Sequence, residues 1–297
     1  MHSLVLHSLV LHSLVEMSYN LENGIFKNKI YIKGNKPITN DIKLLLEKYE
    51  IIHFNRAFNQ DLGNLPNNIK AIYFEEEEIR YNYKTKYRII VGETYIYEDY
   101  DFNKPIGNLP NGLEYLELRG NFNQPLDNLP NTLKYLYINS FEFSHSLDFL
   151  PVGLECLILE TSSISISINN FPSGLKELYI NGYADSLLSN FPIGLKILYV
   201  NGKSNKLDES FKLPDTLETF IVNDCKWNKH NQKILLKTQF SKKMMQLILP
   251  MDYVQDYSLF KDKIKKECND NCIIKFRDFY DPFTNFNELI KHILNKY

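Results

Sequence analysis

The sequence predicts a repeat solenoid with one short parallel strand per coil of 20–22 residues, mostly coil on the convex side, and helices in the terminal units. Two observations predict it. Leu-Pro or Phe-Pro recurs with prolines at Pro66, Pro110, Pro130, Pro151, Pro172, Pro192 and Pro214, spaced 44, 20, 21, 21, 20 and 22 residues apart. An apolar-x-x-apolar-x-apolar run follows each pair, clearest at Leu113, Leu116, Leu118 and again at Leu133, Leu136, Ile138. A unit this short buries its apolar side only by stacking on its neighbours.

The elements follow in chain order. Residues 1–16 repeat His-Ser-Leu-Val-Leu with a period of five. That period spreads apolar residues around a helix rather than along one stripe, and the run is too short to span a bilayer. This low-complexity leader is expected to be disordered and reads as a tandem duplication upstream of a start at Met17. Residues 17–50 read as an N-terminal cap. Ile30 and Ile32 stand 22 residues before Ile52 and Phe54, and Thr39-Asn40-Asp41 caps a helix over about 39–49.

Residues 51–223 hold the repeats. Leu-x-Leu alternation describes a strand with one face buried. The proline cannot donate to a ladder and belongs at the corner, while Asn181-Gly182 and Asn201-Gly202 mark the turns after strands. Phe58, Phe102, Phe122 and Phe143 are expected to plug the core from the opposite wall. Asn59, Asn103 and Asn123 follow them, and stacked amides can satisfy backbone groups in coils that lack a helix. The 44-residue gap reads as two units, with Val91, Thr94 and Ile96 in a degenerate strand and the acidic run 75–78 in an exposed loop. Val222, Leu249 and Phe276, spaced by 27, carry the register into residues 224–297, where helices are expected at 229–240, 257–267 and, as a terminal cap, 285–296.

Composition narrows the function classes. Hydrophobic residues make up 44% and charged residues 24%, ordinary values for a folded domain. A net charge of −2 provides no global field for nucleic acid. Residues 224–297 hold 14 Lys/Arg against 9 Asp/Glu; Lys261, Lys263, Lys265 and Lys266 on one helix read as a solvated face. Four scattered cysteines suit a reducing compartment. The expectation is a cytoplasmic monomer with a protein partner and no nucleic acid, membrane, metal or cofactor. His53, His145, His230 and His292 are isolated and read as packing residues.

The units "FNQPLDNLPNTLKYLYI" and "FNKPIGNLPNGLEYLEL" resemble the FNIP repeat, a short relative of the leucine-rich repeat, over roughly residues 54–222. The resemblance implies a leucine-rich-repeat-like horseshoe that mediates protein–protein interaction. Such proteins are abundant in social amoebae and in giant viruses that infect amoebae, which implies a host–virus role in the host cytoplasm if viral. Some carry an N-terminal F-box, implying recruitment of substrates to a ubiquitin ligase. Residues 17–50 lack the Leu-Pro opening and helical apolar pattern of an F-box.

The binding candidates come from the strand register. The outward residue between the two inward positions of each unit runs Tyr31, His53, Tyr73, Tyr95, Glu117, Tyr137, Ile158, Tyr179, Tyr199, Ile221, Ile248 and Lys275. Half are tyrosine, and on a horseshoe this column lies on the concave face. Tyr73, Tyr95, Tyr137, Tyr179, Tyr199 and Glu117, with Tyr115, Tyr135 and Arg119 beside them, form the candidate binding set. Exposed tyrosine favours a protein partner; rings that merely stack on adjacent strands are the alternative. The next column, with Asn139, Asn181 and Asn201, reads as the start of the turns. No catalytic residue is assigned. The runner-up function is a cysteine-dependent, ubiquitin-ligase-like enzyme using Cys268 or Cys272, whose three-residue spacing does not match a zinc knuckle.

Overall fold

A computed structural model describes residues 15–22, 25–74, 102–161, 166–182, 188–201, 207, 209–222, 229–250, 257–268 and 270–277. Among the described residues, twelve strands form one sheet in chain order. They are β1 (Val15–Glu22), β2 (Ile25–Ile32), β3 (Ile51–Phe54), β4 (Ala71–Phe74), β5 (Tyr115–Gly120), β6 (Tyr135–Ser140), β7 (Cys156–Thr161), β8 (Glu177–Gly182), β9 (Ile197–Asn201), β10 (Thr219–Val222), β11 (Gln246–Pro250) and β12 (Ile273–Arg277). Helices α1 (Asn40–Leu46), α2 (Lys229–Lys237) and α3 (Tyr257–Glu267) lie in the terminal coils.

From β2 to β12 every neighbouring pair is parallel, as a solenoid requires. β1 departs from this. It pairs antiparallel with β2, Val15 opposite Ile32 and Glu16 opposite Tyr31. Two residues join these strands, and so short a link allows a hairpin but not a parallel crossover. Val15 and Glu16 therefore belong to a strand, which corrects the expectation of a disordered leader for those two positions; residues 1–14 lie outside the described residues.

The 44-residue gap is one coil, not two. β4 pairs directly with β5, Ala71 with Tyr115 and Ile72 with Leu116. Among the described residues no strand stands between them; Val91, Thr94 and Ile96, expected in a degenerate strand, lie outside the described residues. Tyr95, with the rest of 75–101, lies outside the described residues.

The corners repeat one turn. The carbonyls of Pro66, Pro110, Pro130, Pro151, Pro172, Pro192 and Pro214 each accept from the N–H three residues on, at 3.0–3.2 Å. Proline presets the turn and sacrifices no ladder donor there. Each turn delivers a leucine or isoleucine such as Ile69, Leu113 or Leu133 into the core with no exposed surface. Fully burying one such side chain contributes about 1.5–3 kcal/mol.

Among the described residues of the repeats, the wall opposite the sheet has no helix. Phenylalanines stack there, with ring centroids 6.3 Å apart for Phe58–Phe102, 6.0 Å for Phe102–Phe122 and 6.3 Å for Phe122–Phe143. Beside them runs an asparagine ladder. Asn35 Oδ1 accepts from Asn59 N at 3.0 Å, Asn59 Oδ1 from Asn103 N at 3.1 Å, Asn103 Oδ1 from Asn123 N at 2.9 Å and Asn123 Oδ1 from Ser144 N at 3.1 Å. Each amide carbonyl takes up a backbone donor of the next coil that would otherwise lack a partner.

The terminal helices are set by local signals. Thr39 Oγ1 accepts from Ile42 N at 3.4 Å and caps α1, which ends at Leu46 rather than near residue 49 because Tyr49 turns into the core. α2 ends at Lys237, short of 240, where Phe240 and Ser241 enter the corner before β11 and Ser241 Oγ donates to Asp215 O at 2.6 Å. The expected helix at 285–296 lies outside the described residues.

Candidate functional site

Strand register places the candidate residues in three columns on the face of the sheet turned away from the main core. Glu117, Tyr137, Ile158, Tyr179 and Tyr199 stand opposite one another on successive strands. One column begins with Tyr115 and Tyr135 and continues through Cys156, Glu177 and Ile197. The other runs Arg119, Asn139, Glu160, Asn181 and Asn201.

The central column is not a solvent-facing stripe. Tyr137, Tyr179 and Tyr199 are 2%, 3% and 4% exposed, and Glu117 is 2% exposed. With Cys156 and Ile158 these tyrosines form a second apolar cluster, against which Tyr135, Ile197 and Ile221 pack. This corrects the expectation of exposed tyrosines. Parallel strands about 4.8 Å apart set each side chain against the next, Tyr137 beside Ile158, Ile158 beside Tyr179, and Tyr179 beside Tyr199 with ring centroids 6.3 Å apart. Toward the N-terminus the stack is tighter: Tyr31–His53, His53–Tyr73 and Tyr73–Tyr115 have centroids 4.6, 4.5 and 4.6 Å apart.

Polar atoms over this cluster form one network. Tyr115 donates to Glu117 at 3.1 Å, and Arg119 Nε pairs with the same carboxylate. The Arg119 guanidinium also lies 5.0 Å from the centre of the Tyr137 ring. Tyr137 donates its hydroxyl to Glu160, Asn139 Nδ2 donates to the Tyr137 oxygen at 3.2 Å, and Asn181 Nδ2 reaches Glu160 at 3.1 Å. Asn201 Nδ2 extends the chain to Asn181 Oδ1 at 3.0 Å. Tyr179 donates to Glu177 at 2.9 Å. Burial, reinforced by Glu117, holds the Tyr115 hydroxyl well above its usual range; burial and then Glu160 do the same for Tyr137. Both phenols are donors at neutral pH.

The accessible part of this face is its two flanks. Tyr135, Glu177 and Ile197 on one side, and Arg119, Asn139, Asn181 and Asn201 on the other, are half-buried. Tyr73 is half-buried, while Tyr115 is buried. Of the asparagines that sequence reasoning assigned to turns, Asn181 and Asn201 act as amide donors across strands and Asn139 donates to Tyr137 within its own strand. The signal for this was present, because they share a column with Glu160.

A second column escaped sequence reasoning. The residue just before each repeat strand is charged, and its sign alternates except from Lys176 to Lys196: Glu50, Lys70, Glu114, Lys134, Glu155, Lys176, Lys196, Glu218. Glu114 pairs with Lys70 at 3.6 Å and Lys134 at 3.3 Å, Glu155 with Lys176 at 2.6 Å, and Glu218 with Lys196 at 3.1 Å. Such exposed pairs are worth at most about 1 kcal/mol each, but in a column they oppose slippage by one coil wherever the signs alternate.

Burial disfavours the thiolate at both C-terminal cysteines. Burial, with Cys272 alongside, pushes the Cys268 thiol up to about 12, and burial raises Cys272 as well. The described histidines have packing partners: His53 lies between Tyr31 and Tyr73, His145 packs edge-on against Phe143, and His230 Nε2 is 2.8 Å from Leu207 O. Among the described residues, no three His, Cys, Asp or Glu side chains converge as a metal site, and no helix is long and apolar enough to cross a membrane.

Comparison with known proteins agrees with this architecture. No curated protein matches the chain. Residues 102–141, which hold two successive Phe, Pro and strand units, match the family model FNIP Repeat. The stacked Phe58, Phe102, Phe122 and Phe143 belong to the same series of units, and the chain is an FNIP repeat-containing protein.

Proposed function

We propose that the chain is a non-catalytic protein–protein interaction scaffold that binds its partner across the outer face of the sheet. The observation that carries this reading is the in-register flank of half-buried side chains beside a sealed aromatic layer. Tyr135, Glu177 and Ile197 are held at strand spacing by a network that is already satisfied. Little ordering remains to be done on binding, which favours affinity. Use as a substrate-recruiting adaptor is one form of this function and follows from the family resemblance alone.

The cysteine-dependent alternative is weaker on chemistry. A nucleophilic thiol needs a depressed pKa and an adjacent base or cation, whereas both thiols are shifted upward by burial.

The test is affinity purification of the full chain from its native cell with Glu177→Arg plus Ile197→Arg, two residues paired across β8 and β9. Loss of a specific partner is expected while the circular-dichroism melt stays cooperative, lowered by the Tyr179–Glu177 hydrogen bond that the variant removes. An unchanged partner list would overturn binding on this face.

A further inference from the structure

The two C-terminal cysteines are neighbours in space. The Cys268 thiol donates a hydrogen bond to the Cys272 sulfur. Both side chains pack with the main core cluster, which also holds Ile264 of α3. Cys156 lies in the other cluster, on the outer face of the sheet. The backbone on either side of the pair is anchored separately. Cys268 N–H donates to Ile264 O at 2.8 Å and closes the last turn of α3, and Glu267 beside it accepts from Phe240 N at 3.1 Å. After Cys272 the chain enters β12, where Ile273 N–H donates to Met245 O at 2.8 Å and Ile273 stands opposite Gln246 of β11. Two fixed elements therefore hold the sulfurs together.

The pair is chemically unequal. Cys272 is half-buried and Cys268 is buried. Burial raises both thiols, but the hydrogen bond from Cys268 favours the Cys272 thiolate and disfavours that of Cys268 itself. A reagent in solvent meets Cys272 first. A thiol that resists ionisation is also a poor leaving group, so exchange with a small disulfide lies toward the protein disulfide.

We infer that Cys268 and Cys272 are a thiol–disulfide exchange site, oxidised reversibly by a small-molecule disulfide such as oxidised glutathione. The Cys272 thiolate attacks one glutathione sulfur, the glutathione S–S bond breaks, and one glutathione leaves as its thiolate. Cys268 gives its proton to solvent and attacks the Cys272 sulfur of the mixed disulfide, which releases the second glutathione. The departing thiolates take up the two protons that the cysteines lost. Two protein thiols are oxidised to one disulfide, and one glutathione disulfide is reduced to two glutathiones. The new bond ties the C-terminal end of α3 to the start of β12 and restrains the unfolded chain there.

The experiment equilibrates the full chain with mixtures of oxidised and reduced glutathione, native and in urea, followed by acid quench, denaturation, alkylation and trypsin. Cleavage after Lys266 and Lys275 places both cysteines in one peptide, 267–275. That peptide should become two hydrogens lighter and escape alkylation, while Cys156 is alkylated. Native chain should reach half-oxidation at a ratio of oxidised to reduced glutathione roughly tenfold or more below that needed in urea, because the fold holds the sulfurs together. By linkage the oxidised chain should melt higher by about 3 °C or more. Cys268→Ser should leave Cys272 carrying one glutathione, and Cys272→Ser should leave Cys268 unmodified in the native chain. A peptide that stays reduced across the series would overturn the inference. So would arrest of the wild type at the glutathione adduct, equal ratios for native and unfolded chain, or a link from either cysteine to Cys225 or to a second chain.

Discussion

Asn59 Oδ1 accepts a hydrogen bond from the backbone N–H of Asn103 at 3.1 Å although 44 residues separate them. The same bond links Asn103 to Asn123 across 20 residues. One coil therefore carries twice the usual chain without altering the stack. The excess falls between Phe74 and Phe102, whose rings stack 4.0 Å apart. Twenty-seven residues lie between them, where three suffice from Phe54 to Phe58.

Replacing residues 75–101 with a three-residue linker should leave a folded solenoid. The described groups that align β4 with β5 lie outside the replaced segment, and loop length adds little to stability. A melting temperature within about 5 °C of the full chain is expected, a shift corresponding to about 1–2 kcal/mol in a chain of this size. Collapse of the cooperative transition would show that the segment is needed to hold those coils together.

Asn103→Leu should destabilise the chain by about 1–3 kcal/mol, because the Asn123 N–H and the Gln124 amide both lose their acceptor. Asn103→Asp keeps that acceptor and should recover most of the loss. Urea denaturation of the pair checks this, and equal midpoints would remove the ladder from the account of stability.

Gly174 and Gly194 occupy equivalent corners with different space. A Cβ at Gly174 would stand 2.6 Å from Val152 O, whereas at Gly194 its nearest neighbour is 3.8 Å away. Gly174→Ala is expected to cost about 1–3 kcal/mol. Gly194→Ala should gain about 0.4–1 kcal/mol by restricting the unfolded chain. Thermal melts of the two single variants should move in opposite directions.

Alkaline pH should unfold the protein through its buried phenols. Tyr115 and Tyr137 titrate well above 10 in the folded state and near 10 in the unfolded state. Their contribution is complete below about pH 10 and is lost as pH rises above it, because only the unfolded chain can release those protons. Tyr137→Phe should flatten this alkaline limb while costing about 1–3 kcal/mol at pH 7 through the lost bond to Glu160. Stability measured by urea between pH 7 and 11 checks both parts.

Cys268 should resist alkylation in the native state. With its thiol pushed up to about 12 and its side chain buried, iodoacetamide at pH 8 is expected to label it only after denaturation. Mass spectrometry of native and denatured samples reads this directly. Rapid native labelling would revive the cysteine-nucleophile alternative.

The repeat was legible because solenoid contacts are periodic. The proline corners, the Phe58–Phe102–Phe122–Phe143 stack and the asparagine ladder each repeat one local rule. The 44-residue gap misled by its arithmetic: twice the period resembles two units, and only the pairing of Ala71 with Tyr115 distinguishes an insertion from a coil. β1 gave no repeat signal, being a hairpin partner of β2 and not a coil.

By itself the sequence determined the fold class, the inward residues and the column that holds Tyr137, Tyr179 and Tyr199, because a period of two within strands and of about 21 between them leaves one register. Tertiary structure decided what that column does. Neighbouring strands about 4.8 Å apart let Tyr137, Ile158, Tyr179 and Tyr199 seal one another, with the Tyr137 and Tyr179 hydroxyls turned onto Glu160 and Glu177. Alternation says which side of a sheet a residue occupies; only the distance to the next ring says whether water reaches it.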